Sequence, residues 1–92
     1  MNILWLLSEF FGTFAVLLAV LSTGNYLAVG ATYSAVSFLV GAGSGGQVNP
    51  AVSLIMLLKG SLDPAHFVGY IGAQLLGALA AYYVWKAVLH IQ

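Results

Sequence analysis

The chain has 92 residues, 62% of them apolar and only 4% charged, and its two lysines balance its two acids. Soluble domains carry roughly a quarter charged residues, so a compact body of this composition would expose very large apolar patches to water; its solvent has to be lipid. Zero net charge removes the electrostatic footprint that nucleic acid or acidic partners require, and the lack of cysteine excludes disulfides and thiolate metal sites.

A membrane helix needs about 20 apolar residues to cross a hydrocarbon core of about 30 Å, so three crossings nearly exhaust the chain. Three helices line a groove but hardly seal a pore, and any transport function therefore points to oligomerisation or to one part of something larger. The first apolar run, residues 3–22, is interrupted only by Glu9 and small hydroxyl residues. It reads as a membrane helix rather than a cleaved signal, because it lacks a basic start and a small-x-small cleavage site and carries an acid within its apolar part. Thr23-Gly24-Asn25 supplies turn chemistry, so a second helix over 26–42 should return antiparallel beside the first.

Gly41, Gly43, Gly45 and Gly46 follow in close succession, a density that no stable helix tolerates when each costs about 1 kcal/mol relative to Ala. A non-helical, re-entrant loop over 43–49 is the expectation. Asn49-Pro50 then pairs a favoured N-cap with a favoured first helical position, starting a helix over 50–59 that ends at Lys59 and Gly60. At 1.5 Å per residue such a helix is about 15 Å long, half a bilayer. Asp63-Pro64 repeats the same start, and residues 64–89 are long enough for a further crossing. Along them Gly69, Ala73, Gly77 and Ala81 recur every fourth residue, the pattern that lets helix backbones approach closely in lipid. Trp5 near one end and Tyr82, Tyr83 and Trp85 near the other suit interfacial belts. The fold class is thus an all-α, multi-pass integral membrane protein: three transmembrane helices and one re-entrant half-helix.

Two catalytic-looking constellations fail on context. Gly41 to Gly46 matches G-x-G-x-x-G, but the helix opens at Pro50 and there is no room for a dinucleotide-binding fold. Ser8, Asp63 and His66 make no plausible triad, since capping explains the acid and an interfacial position the histidine. No enzyme activity, cofactor or metal is implied. The informative element is the glycine-rich segment running into Asn49 and a half-length helix. Irregular backbone at membrane depth is allowed only where it is buried in protein or lines a water-filled cavity, and a helix N-terminus there offers N–H groups and about half a positive charge.

Ser44-Gly45-Gly46-Gln47-Val48-Asn49-Pro50-Ala51-Val52-Ser53 resembles the first Asn-Pro-Ala box of the major intrinsic protein family, the aquaporins and aquaglyceroporins. Glu9-Phe10-Phe11-Gly12-Thr13-Phe14 resembles that family's first-helix signature, and Tyr70-Ile71-Gly72-Ala73-Gln74-Leu75-Leu76-Gly77-Ala78 its third helix, in the same order. The resemblance implies half of a fold built from two inverted three-helix repeats whose half-helices meet at the midplane. On that pattern Asn49 donates to passing water, Pro50 and Ala51 pack the half-helix tips together, and carbonyls of Gly45, Gly46 and Gln47 accept hydrogen bonds along the pore. Glu9 braces the loop, consistent with a cost of about 2.5 to 3.5 kcal/mol for an acid within a membrane helix that finds no partner. Where the family's second box is usually followed by an arginine, this chain has Val52 and no arginine at all; Gln47 stands where histidine is common, and Val29 falls on the second-helix filter position.

The resulting expectation is a passive channel for water and small neutral solutes such as glycerol. One lysine falls toward each membrane face, Lys59 on the side of the amino terminus and Lys86 on that of the first hairpin. Because lysine and arginine bias sets orientation, this balance implies insertion both ways and pairing as an antiparallel homodimer, with a higher assembly such as four pores open. The alternatives are a non-conducting interaction protein docking through Gly69, Ala73 and Gly77, and a hetero-dimeric half-channel whose partner is encoded separately.

Overall fold

The structure, a computed structural model, describes residues 1–89. It contains four α-helices, α1 (Ile3–Thr23), α2 (Tyr26–Val40), α3 (Pro50–Lys59) and α4 (Pro64–Val84), and a closing π-helical turn, Trp85–Leu89. Every α-helix begins at an Asx N-cap: Asn2 accepts from Trp5 N, Asn25 from Leu27 N and Ala28 N, Asn49 from Ala51 N, and Asp63 from His66 N. Each cap satisfies part of the four N–H groups that a helix start leaves without partners.

Two segments, Ile3–Thr23 and Pro64–Leu89, are long and apolar enough to cross a membrane. By contrast, α2 stops at Val40, two residues short of the expected 42, where Gly43 N closes a tight turn onto the Val40 carbonyl at 3.0 Å. Its 15 residues make about 22 Å of helix, less than a hydrocarbon core. At the other boundary α1 runs one residue past the expected 22, and Gly24 caps it in the left-handed region with its N–H on Val20 O.

α1 is the central element: it packs on α2 along one side and on α4 along the other, while α3 rests on α4. The amino ends of α1 and α4 lie together, where Asn2 N donates to His66 Nε2 at 3.1 Å, so the two helices run parallel with α2 antiparallel between turn and loop. The α1–α4 seam depends on Gly77, because a Cβ there would collide with the Phe10 carbonyl oxygen and lie 3.2 Å from Phe14 N. Gly69 and Ala73 lie on the same side of α4, lining a cavity of about 340 Å³ with Leu6 and Phe10 of α1. The small-residue stripe therefore faces α1 of its own chain.

The described residues extend 45 × 23 × 19 Å, the long dimension matching a bilayer with its headgroups at about 40–45 Å. Few apolar side chains are buried; Phe38 is 87% and Leu39 77% exposed, and α2 has no fully buried residue. Beside Val16, Val48, Leu62, Tyr70 and Ala81, the fold buries the polar Glu9, Thr13, Ser44, Gln47, Ser53 and Gln74. Most of these polar groups concentrate hydrogen bonding behind the loop that joins α2 to α3.

Candidate functional site

The loop folds back into the groove between the helices. Gly45 (φ +94°) and Gly46 (φ +59°) take left-handed conformations, and a Cβ on Gly46 would lie 2.6 Å from Ser37 Cα, so this backbone approach requires glycine. Val48 is also left-handed, at φ +43°. That is an outlier for a β-branched residue, and it persists only where the surroundings over-determine it.

Glu9 supplies much of that determination. Its side chain is fully buried, with Oε1 accepting from Val48 N at 2.7 Å and from Gln74 Nε2 at 2.9 Å, and Oε2 from Gln47 N at 3.1 Å. Each of these partners is a donor, the pattern suited to a carboxylate that only accepts. Charge-assisted bonds of this kind are roughly twice as strong as neutral ones, and they offset the desolvation of the carboxylate. Gly12, one turn beyond Glu9, leaves room for the Val48 side chain: a Cβ there would meet Val48 Cγ1 at 2.7 Å.

Further side chains from α2, α3 and α4 hold the loop. The Gln74 amide also donates to Ser53 Oγ at 2.9 Å, and Ser53 Oγ donates to Gln47 Oε1 at 2.6 Å. Ser37 Oγ donates to the Gly46 carbonyl at 2.8 Å, Tyr70 OH to the Ser44 carbonyl at 2.8 Å, and Tyr33 OH to the Gln47 carbonyl. The carbonyls of Gly46 and Gln47 are thus each engaged once within the chain, and each keeps a second lone pair. The Gln47 side chain is turned into the protein, where its residue is 8% exposed.

Asn49 is half-buried at the tip of α3, with Oδ1 accepting from Ala51 N at 2.8 Å. Pro50 and Ala51 are exposed beside it. Two cavities flank the loop. One, of about 390 Å³, is a vestibule walled by the loop together with Trp5, Tyr33, Val52, Met56 and Tyr70. The other, of about 210 Å³, lies against Asn49 and Pro50. Val52 lines the vestibule, but Val29 lines neither cavity: it sits in the first turn of α2, and Tyr33, one turn further, is the α2 side chain in the vestibule wall. The two valines assigned to filter positions therefore do not share either of these cavities.

Ser53, Tyr70 and Gln74 lie within the segments that carry the family resemblance, but neither they nor Ser37 and Tyr33 are assigned a role from the sequence. Gln74 carried a legible signal, since a strongly polar side chain within an apolar span calls for a partner on the same grounds as Glu9. The serines carried none, because helical hydroxyls commonly satisfy themselves on the carbonyl four residues back.

The chain matches the family described as Major intrinsic protein over residues 23–91. It is 37% identical over 84 residues to "Glycerol uptake facilitator protein-like 6" of Lactiplantibacillus plantarum, covering 82% of this chain and 39% of that protein. To "Aquaporin Z" of Brucella melitensis it is 40% identical over 89 residues, covering 80% and 39%, and to "Aquaporin-9" of Homo sapiens 38% over 87 residues, covering 78% and 30%. It thus spans at most about two fifths of the length of these relatives. No solved structure matches it at a significant level. With the family match running over most of its length and these relatives aligned along some four fifths of it, the chain belongs to the major intrinsic protein family, an α-helical membrane fold.

Proposed function

We propose that this chain is half of a passive, multi-pass membrane channel for water and small neutral solutes such as glycerol, completed by a second copy inserted in the opposite orientation. The observation that carries the reading is Asn49. Its amide oxygen is committed to Ala51 N, so what it offers at the start of a half-length helix is an N–H donor beside the positive end of the helix dipole. Two such tips facing each other in an Asn-Pro-Ala pairing would orient water oxygens toward the midplane from both sides and make it hostile to protons. The loop carbonyls of Gly45, Gly46 and Gln47 would continue the path as acceptors. Val52 in place of an arginine makes a wider, more apolar filter, which suits glycerol as well as water.

Two copies are needed because one presents a groove rather than a sealed pore. Lys59 and Lys86 fall at opposite ends, which supports insertion in both orientations. Docking of relatives through Gly69, Ala73 and Gly77 is disfavoured, since that stripe already faces α1. The experiment is osmotic shrinkage of liposomes containing the purified chain alone, with Asn49→Asp as control. Fast flux lost in the variant is expected; flux no faster than bare lipid from folded protein would overturn self-pairing and leave a separately encoded partner half, detectable by co-reconstitution.

A further inference from the structure

The vestibule contains a large side chain that the filter positions do not account for. Val29 lines neither cavity, and Val52 is a short side chain in the vestibule wall. From α2 it is Tyr33 that enters this wall; the residue is half-buried, so part of its ring stays open to the cavity. Tyr70 also lines the vestibule but is only 1% exposed. Trp5 stands at the outer rim, in the first turn of α1, with its ring 5.2 Å from that of His66 at the start of α4. Tyr33 reaches further in, to Gln47, two residues before Asn49.

The Tyr33 ring is held at both ends. Its Cα belongs to α2, and its hydroxyl donates to the Gln47 carbonyl. That carbonyl is itself fixed, because Gln47 N donates to Glu9 Oε2 at 3.1 Å and the Gln47 side chain accepts from Ser53 Oγ at 2.6 Å. Swinging the ring aside would break the bond to the loop, so Tyr33 is a standing constriction rather than a lid. Having given its proton to the loop, its oxygen offers lone pairs alone, in the same sense as the loop carbonyls, and a passing molecule has to donate to it. The body of the ring is apolar. Together these surfaces suit a narrow carbon chain that carries hydroxyl groups, and the bulk of the ring limits how wide that chain can be.

We propose that Tyr33 is the specificity-determining residue of this channel: its ring sets the size limit that slows glycerol relative to water, and its oxygen accepts from the hydroxyl groups that pass. The size limit thereby lies one turn along α2 from Val29, at the level of the glycine-rich loop. This assignment rests on the channel reading above and deepens it, since it names the side chain that restores the narrowing which valines at the filter positions give up.

The test reads two permeabilities in the same liposomes, water from osmotic shrinkage and glycerol from the re-swelling that follows its entry, for the parent, Tyr33→Val, Tyr33→Phe and Tyr33→Trp. In Tyr33→Val the glycerol-to-water ratio should rise about tenfold, the lower end of the discrimination that a small change in pocket size supplies. Tyr33→Phe keeps the ring and should stay nearer to the parent than to Tyr33→Val. Tyr33→Trp enlarges the ring and should lower the ratio, a change of opposite sign that a general loss of folding does not produce. A parent that conducts no water overturns the self-paired channel and this assignment with it. A conducting parent whose ratio is unmoved in Tyr33→Val or Tyr33→Trp overturns this assignment alone. So does a Tyr33→Phe ratio equal to that of Tyr33→Val, which would place the effect in the hydroxyl's hold on the loop rather than in the bulk of the ring.

Discussion

Among the described residues no basic group is set against Glu9, and its carboxylate is held by N–H donors from two residues of the loop and one of α4. Replacing it with glutamine keeps size and shape but turns one accepting oxygen into a donor. That NH2 would face Val48 N and Gln74 Nε2 or Gln47 N, leaving at least one donor pair opposed in a buried place. With about 1–3 kcal/mol for each buried group left unsatisfied, Glu9→Gln should lose roughly 2–3 kcal/mol of unfolding stability. The left-handed Val48 should relax with it. Denaturant titration in detergent checks the first expectation, and backbone NMR shifts at Val48 the second; a variant matching the parent in both would remove Glu9 from the support of the loop. At the same scale, Asn49→Asp exchanges the amide donor for an anion, so water flux should fall or cations be admitted, measured in the same liposomes.

Between elements, the decisive contact is the α1–α4 seam. Gly77→Ala must push the Phe10 backbone away, and overpacking of this kind costs typically 1–3 kcal/mol. Gly72→Ala on the same helix has open space around the new methyl and should be neutral or slightly stabilising by helix propensity. The pair of variants, compared in one unfolding assay, separates close approach from a general preference for glycine in α4. The start of α4 has its own electrostatics. Asp63 Oδ2 accepts from His66 N at 3.1 Å, and Oδ1 lies 2.7 Å from His66 Nδ1; these bonds, the backbone one foremost, hold the Asp63 carboxyl below its usual range. A depressed folded-state value means that the stabilisation is present above the ordinary carboxylate pKa and is lost as pH falls through the folded one. Asp63→Ala should therefore lower thermal stability at neutral pH, and the gap between variant and parent should close in strong acid.

For the molecule as a whole, the question is which way it faces. Lys59 ends the half-helix, shortly before α4 begins, and Lys86 lies past the end of α4, so these lysines occupy opposite ends. A protein so poor in charge should be tipped by one more cation. Ser22→Lys, at an exposed position beside the first hairpin, adds to the end that holds Lys86 and should drive most copies into one orientation. Tags on the termini would then report a single face, and water flux should fall although each copy folds normally. Recovery of flux on mixing with a copy biased the other way, through a lysine added at the opposite end, would identify the antiparallel pair as the conducting unit.

The lipid environment, the break after α2 and the half-length helix starting at Asn49-Pro50 were all legible in the sequence, because hydropathy, glycine density and Asx-Pro capping act over a few neighbouring residues. The observed Asn49 and Asp63 caps are the same local chemistry carried into three dimensions. Glu9 was legible as a residue in need of a partner, and the nature of that partner as loop N–H groups, since an acid in an apolar span admits few others. The bonds from Gln74 to Glu9 and Ser53, from Tyr70 to Ser44 and from Tyr33 to Gln47 were not, because they join residues 14 to 65 positions apart and leave no mark on periodicity. Which side of α4 meets α1 and whether Gln47 turns inward depend on the packing of parallel helices around one glycine. Those were decided by the tertiary structure alone, for in lipid burial by itself selects no helix face, and close backbone approach and complete pairing of buried polar groups choose among the packings that hydropathy leaves equal.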